Sequence, residues 1–149
     1  MTEPDQKFRT PSNLRLRMVA SVAMIAVATV ALFLGGVAFW LLAVVISLLM
    51  LAEWGDLVGA SHRERRIAQF ALSVPLALMA PASLILESRY FFTLGLLVGA
   101  VFFVAIVTRK PRLAGGVLYC GLPVLALVIL RRQEAGLVLA LWALALVWA

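Results

Sequence analysis

No charged residue interrupts the chain between residues 18 and 52. A spanning helix needs roughly 20 apolar residues, within about 17–25, so this run is too long for one helix and fits a hairpin of two. Gly35-Gly36 lies near its middle, and a glycine pair is where a helix most cheaply ends and turns. The pattern therefore predicts spans over residues 18–34 and 37–52. The second would rise about 24 Å against a hydrocarbon core of about 30 Å, and is expected to continue through Glu53 and Trp54 into the interface.

Four more uncharged runs follow, at residues 67–86, 90–108, 113–130 and 135–149. They are separated by Glu87-Ser88-Arg89, Arg109-Lys110-Pro111-Arg112 and Arg131-Arg132-Gln133-Glu134. Short charged breaks of this kind connect antiparallel spanning helices. The expected fold is an all-α integral membrane protein of six helices, with residues 1–17 as an N-terminal segment and 18–149 as one polytopic domain. The runs are continuous, without strand-like alternation, which excludes a β-barrel. Pro75, Pro81 and Pro123 fall inside spans, where neighbouring helices can satisfy the backbone groups they free. Gly95-x-x-x-Gly99 has the spacing of a close helix contact, within one chain or across a homodimer.

Composition agrees with the pattern. Of 149 residues, 64% are hydrophobic and 13% charged, against about 25% charged in ordinary soluble domains. A soluble globule of this size could not hide so much apolar surface. Lys7, Arg9, Arg15 and Arg17 precede the first run as in a secretory signal, but the run has full spanning length and resumes after the glycine pair. An uncleaved first helix is expected.

Lysine and arginine concentrate in cytoplasmic loops. The N-terminal segment and the loops after spans two and four carry ten of the 13, while Arg89, Arg131 and Arg132 lie on the other side. Both termini are thus expected in the cytoplasm. The net charge of +6 is spread among loops, and no basic domain exists to bind nucleic acid.

Candidate chemistry is sparse. No phosphate loop, dinucleotide fingerprint, HExxH, CxxC or GxSxG occurs, and the single Cys120 and His62 exclude a disulfide and a histidine-based metal site. Glu53, Asp56 and Glu64 are expected together in one cytoplasmic loop, too few for a two-metal phosphoryl-transfer site. Trp54 fits the aromatic belt at headgroup level. Arg63, Arg65 and Arg66 either fix topology or engage a lipid phosphate. A transporter would need polar groups at mid-membrane, and the spans offer only scattered Ser and Thr. The last run stops at Val147-Trp148-Ala149 without a polar flank, so an element cut at its edge is expected.

Several of these pieces together resemble a known family. Asn13-Leu14-Arg15-Leu16-Arg17 opens the first span, Ala52-Glu53-Trp54-Gly55 closes the second, and basic residues follow. With Gly115-Gly116-Val117-Leu118-Tyr119 and Gly121-Leu122-Pro123 in the tail, they resemble bacterial phosphatidate cytidylyltransferase (CDP-diglyceride synthase). The resemblance runs from about Asn13 to Ala149 and corresponds to the N-terminal membrane half of that family. It implies an enzyme of the bacterial inner membrane that joins CTP and phosphatidic acid, releasing pyrophosphate and leaving CDP-diacylglycerol. It also implies Mg²⁺, whose ligands and the catalytic residues would lie beyond Ala149, so this chain alone is expected to be inactive. What transfers is Glu53-Trp54-Gly55 as the family-like element and Arg63, Arg65 and Arg66 as lipid-phosphate candidates. The alternative is a complete, non-catalytic polytopic scaffold or assembly partner.

Overall fold

The computed structural model describes residues 12–81 and 90–148. Among the described residues the elements are α1 (Ser12–Leu34), α2 (Gly36–Leu57), α3 (His62–Leu78), α4 (Tyr90–Thr108), α5 (Pro111–Arg131) and α6 (Gly136–Trp148). Lys7, Arg9, Glu87, Ser88, Arg89 and Ala149 lie outside them, as does the end of the run 67–86. The fold is all-α, and α1, α2, α4 and α5 are long and apolar enough to cross a bilayer. Two helices fall short of that measure. α3 has 17 residues and opens on His62-Arg63-Glu64-Arg65-Arg66, and α6 has 13 described residues.

Hydropathy misplaces some helix ends, because backbone pairing does not need apolar side chains. α2 runs to Leu57 and closes where Gly59 turns left-handed at φ 66°. There Ala60 N–H donates to the Gly55 carbonyl at 2.8 Å and Gly59 N–H to Asp56 at 3.1 Å, the paired bonds of a Schellman ending. α3 starts at His62 rather than residue 67, because Ser61 and Glu64 form a capping box. The Glu64 amide donates to Ser61 Oγ at 3.3 Å, and the Ser61 amide to Glu64 Oε2 at 2.6 Å. Glu53 and Asp56 therefore ride on α2 and Glu64 on α3, not in one loop; the link is Val58-Gly59-Ala60-Ser61.

α5 is the central helix, packed against α2, α3, α4 and α6. Its glycines admit the neighbours: a Cβ at Gly121 would lie 2.7 Å from methyls of both Leu72 and Leu97. Leu51, Leu72, Leu76, Leu97 and Leu113 are fully buried at this junction. Lipid tails are as apolar as leucine, so close packing and hydrogen bonds between helices must hold such a core together. Ser47 Oγ donates to the Cys120 carbonyl at 3.1 Å, Trp40 Nε1 to Leu76 at 2.9 Å, and Gln69 Nε2 to Leu48 at 3.0 Å. These tie α2 to α5 and α3. Gly95 and Gly99 do not form a close contact within the chain, since a Cβ at either would meet nothing within 4 Å. α4 turns Thr93, Leu97, Ala100 and Val104 inward instead.

At one end of the bundle, arginines close the helix termini. Arg131 Nε donates to the Leu32 carbonyl at 3.0 Å and Nη2 to Phe33 at 3.4 Å, while Arg132 Nη2 donates to Met79 at 2.6 Å. Last-turn carbonyls lack helical partners, and a cation at a helix C-terminus also meets the favourable end of its dipole. Arg131 and Arg132 thus have structural work beyond setting topology.

Candidate functional site

The other end gathers the polar side chains. α2 ends there, α3 begins there, and the turn from α4 to α5 lies against both. That turn is set by Arg109 at φ 53°, by Thr108 Oγ1 accepting the Lys110 amide at 3.3 Å, and by Pro111 opening α5. It sends Lys110 Nζ across to the α2–α3 link, where it donates to the Gly59 carbonyl and to Glu64 Oε2, both at 2.9 Å. Glu64 thereby caps its own helix and receives a lysine from 46 residues away.

The Lys110 ammonium, then the Ser61 amide and hydroxyl, hold the Glu64 carboxyl down at about 2, from an ordinary 4.5. A carboxyl depressed in the folded state contributes stability above its ordinary value, and loses it as pH falls through the folded one. The joint between the two turns is therefore expected to weaken between pH 4.5 and about 2. Lys110→Met should return the Glu64 carboxyl part of the way towards 4.5, readable by NMR titration of its carboxyl carbon. A titration midpoint unchanged by that substitution would assign the whole depression to the cap.

The three residues of the family-like element separate into three roles. Glu53 is exposed on α2 and faces outward. Trp54 is not simply a membrane-belt anchor: its Nε1 donates to the Arg112 carbonyl at 2.9 Å, and its ring lies 5.6 Å from that of Tyr119, tilted 31°. Gly116 leaves the room for this, because a Cβ there would sit 2.5 Å from the Trp54 Nε1. Gly55 makes room for α3, where a Cβ would lie 2.5 Å from Cγ of Arg65. The element is a helix junction, joining α2 to α5 through Trp54 and to α3 through Gly55.

The three arginine candidates do not form one cluster. Arg65 crosses Gly55 and pairs with Asp56. Arg63 and Arg66 turn elsewhere, lining with His62 a cleft of about 540 Å³ between α3 and α4. Asp56 and Glu64 are each committed to a basic partner, and among the described residues no three His, Cys, Asp or Glu side chains converge on one point. Among the described residues these donors do not make a Mg²⁺ site. Lys110 and Tyr119 are the partners that sequence reasoning missed. A local signal existed only for the cap, in the Ser61-x-x-Glu64 spacing.

Comparison with curated proteins and with solved structures gave no match. The model of the Cytidylyltransferase family, in contrast, matches residues 15–149, nearly the whole chain and every helix described above. Since that match takes in the Trp54 junction and the Lys110 turn alike, this chain belongs to the cytidylyltransferase family.

Proposed function

We propose that this chain is the membrane-embedded part of an enzyme transferring the cytidylyl group of CTP to phosphatidic acid, with CDP-diacylglycerol and pyrophosphate as products. The observation that carries this reading is the family match over residues 15–149, which takes in all the helices described. The lipid phosphate would attack the α-phosphorus of CTP as pyrophosphate leaves, so the site needs access to water and to the bilayer at once. The end built by Trp54, Glu64 and Lys110 suits that requirement. Arg63, Arg65, Arg66, Arg109, Lys110 and Arg112 all sit in the segments that meet there, which by the positive-inside rule faces the cytoplasm and its CTP. In a bacterial cell this is the inner face of the inner membrane. The residues described supply the scaffold of that end rather than the reacting groups.

The test uses membranes from cells expressing this chain, and others expressing the whole reading frame of its gene. Labelled CTP is supplied with phosphatidic acid and Mg²⁺. The whole reading frame is expected to move label into chloroform-soluble lipid, and this chain alone to move none. No incorporation from the whole reading frame would overturn the proposal in favour of a non-catalytic scaffold.

A further inference from the structure

The cleft beside Arg63 and Arg66 is not part of the Trp54–Lys110 joint. It measures about 540 Å³ and is lined by His62, Arg63, Arg66, Ile67, Phe70 and Phe103. A second cleft of about 270 Å³ shares Phe70 and Phe103 and continues past Val74, Leu96, Gly99 and Ala100. The two make one groove on the outer surface between α3 and α4, cationic at its upper end and apolar below. Its α3 wall is a single stripe, because positions 63, 66, 70 and 74 recur at helical spacing. Its walls stand open, with Phe70 at 71% and Phe103 at 48% exposure. Gly99 leaves the floor clear, since a Cβ there would meet nothing within 4 Å.

Charge and length point to the occupant. Among the described residues the ion pairs join Arg65 to Asp56 and Lys110 to Glu64, and neither engages Arg63 or Arg66. Guanidinium groups left free in this way match phosphate oxygens in charge and hydrogen-bond geometry. From Arg63 to Val74 the helix rises about 16 Å, close to half of the roughly 30 Å hydrocarbon core, the depth of one leaflet. Arginines serving topology alone would not need an apolar groove continuing beneath them. A free aqueous anion would gain nothing from that groove either.

We propose that this groove holds one anionic phospholipid, its phosphate at His62, Arg63 and Arg66 and an acyl chain laid along Phe70, Val74, Gly99 and Phe103. The enzymatic reading contributes only the choice of phosphatidate as the probe. The full chain in phosphatidylcholine nanodiscs is labelled with phosphatidate carrying an acyl-chain diazirine, and the adducts are mapped by mass spectrometry. Adducts are expected on the facing walls of α3 and α4, displaced by unlabelled phosphatidate but not by inorganic phosphate. Arg63→Gln with Arg66→Gln should lower the yield about tenfold or more, the equivalent of losing one charge-assisted contact. Gly99→Leu should lower it too by filling the floor, and because it enters open space the circular dichroism and unfolding midpoint should not move. Adducts scattered over the outer faces of all helices, or insensitive to both variants, would overturn the groove as annular lipid. Competition by inorganic phosphate would overturn it in favour of a soluble anion. CTP incorporation by the whole reading frame without groove labelling removes the groove alone, and groove labelling with no incorporation from the whole reading frame removes the enzymatic reading alone.

Discussion

Replacing Gly35 with alanine is expected to loosen α1 from the bundle, at a cost of about 2.5–6 kcal/mol in stability. Gly35 sits between α1 and α2 at φ 62° and ψ −151°, a conformation that is essentially reserved for glycine. Backbone strain there contributes about 1–3 kcal/mol. The new methyl would also stand 2.6 Å from Nη2 of Arg131 and 3.0 Å from its Cζ. The guanidinium is the flexible end of a side chain and can retreat. In retreating it gives up the Leu32 and Phe33 carbonyls, and bonds from a charged donor are worth about 1.5–3 kcal/mol. α1 has little else to hold it. Most of its residues face outward, with Ala31 and Leu32 buried near its end. Unfolding in mixed micelles should show the loss, and proteolysis at the α1–α2 turn should accelerate. Arg131→Ala separates the two causes, since it removes the hydrogen bonds and leaves the backbone relaxed. The double variant is expected to be less stable than Arg131→Ala by the strain alone. If Gly35→Ala unfolds at the wild-type midpoint, neither the strain nor the arginine closure is important to α1.

What the sequence made legible, and what it did not, follows from the range of the interactions involved. Continuous apolar runs between short charged breaks are a local signal, and each helix among the described residues overlaps one of them. The same signal misplaced the start of α3, because the charged residues from His62 to Arg66 look like a loop yet form its first turns. Charge marks where a helix leaves the membrane, not where it ends. The Ser61-x-x-Glu64 spacing was the available correction. Glycine spacing did not identify the points of close approach within the chain. Gly116 receives Trp54, whereas Gly95 and Gly99 receive nothing described. A helix as evenly apolar as α4 does not say which of its faces turns inward. Lys110 with Glu64, Trp54 with Arg112 and Arg131 with Leu32 join residues 46, 58 and 99 positions apart. No local pattern encodes such pairs; the packing of α5 at the centre brings them together.

That central packing also sets the second large effect. Gly116→Leu is expected to cost about 3 kcal/mol or more and to expel the Trp54 indole from the junction. A Cβ at position 116 falls among Cδ1, Nε1 and Cγ of Trp54, within 2.9 Å of the last. The ring is rigid and tied at both ends, so unlike the Arg131 guanidinium it has no cheap retreat. Overpacking a well-filled contact contributes about 1–3 kcal/mol. Expelling the ring also breaks the 2.9 Å bond to the Arg112 carbonyl and the 5.6 Å contact with Tyr119, each worth about 0.5–1.5 kcal/mol. Trp54→Ala alone loses the bond and the contact but gains no clash. Adding Trp54→Ala to Gly116→Leu should therefore restore part of the loss, because the leucine would then fill the space the indole left. This sign of coupling distinguishes a steric junction from two independent sites, whose losses would simply add. The joint also positions the α4–α5 turn, since the Arg112 carbonyl that accepts from Trp54 lies two residues from Lys110. Gly116→Leu should accordingly weaken the Lys110–Glu64 contact and raise the Glu64 carboxyl from about 2, although neither residue is altered. A Glu64 titration left unmoved by Gly116→Leu would mean that the Trp54 junction and the polar end are held independently.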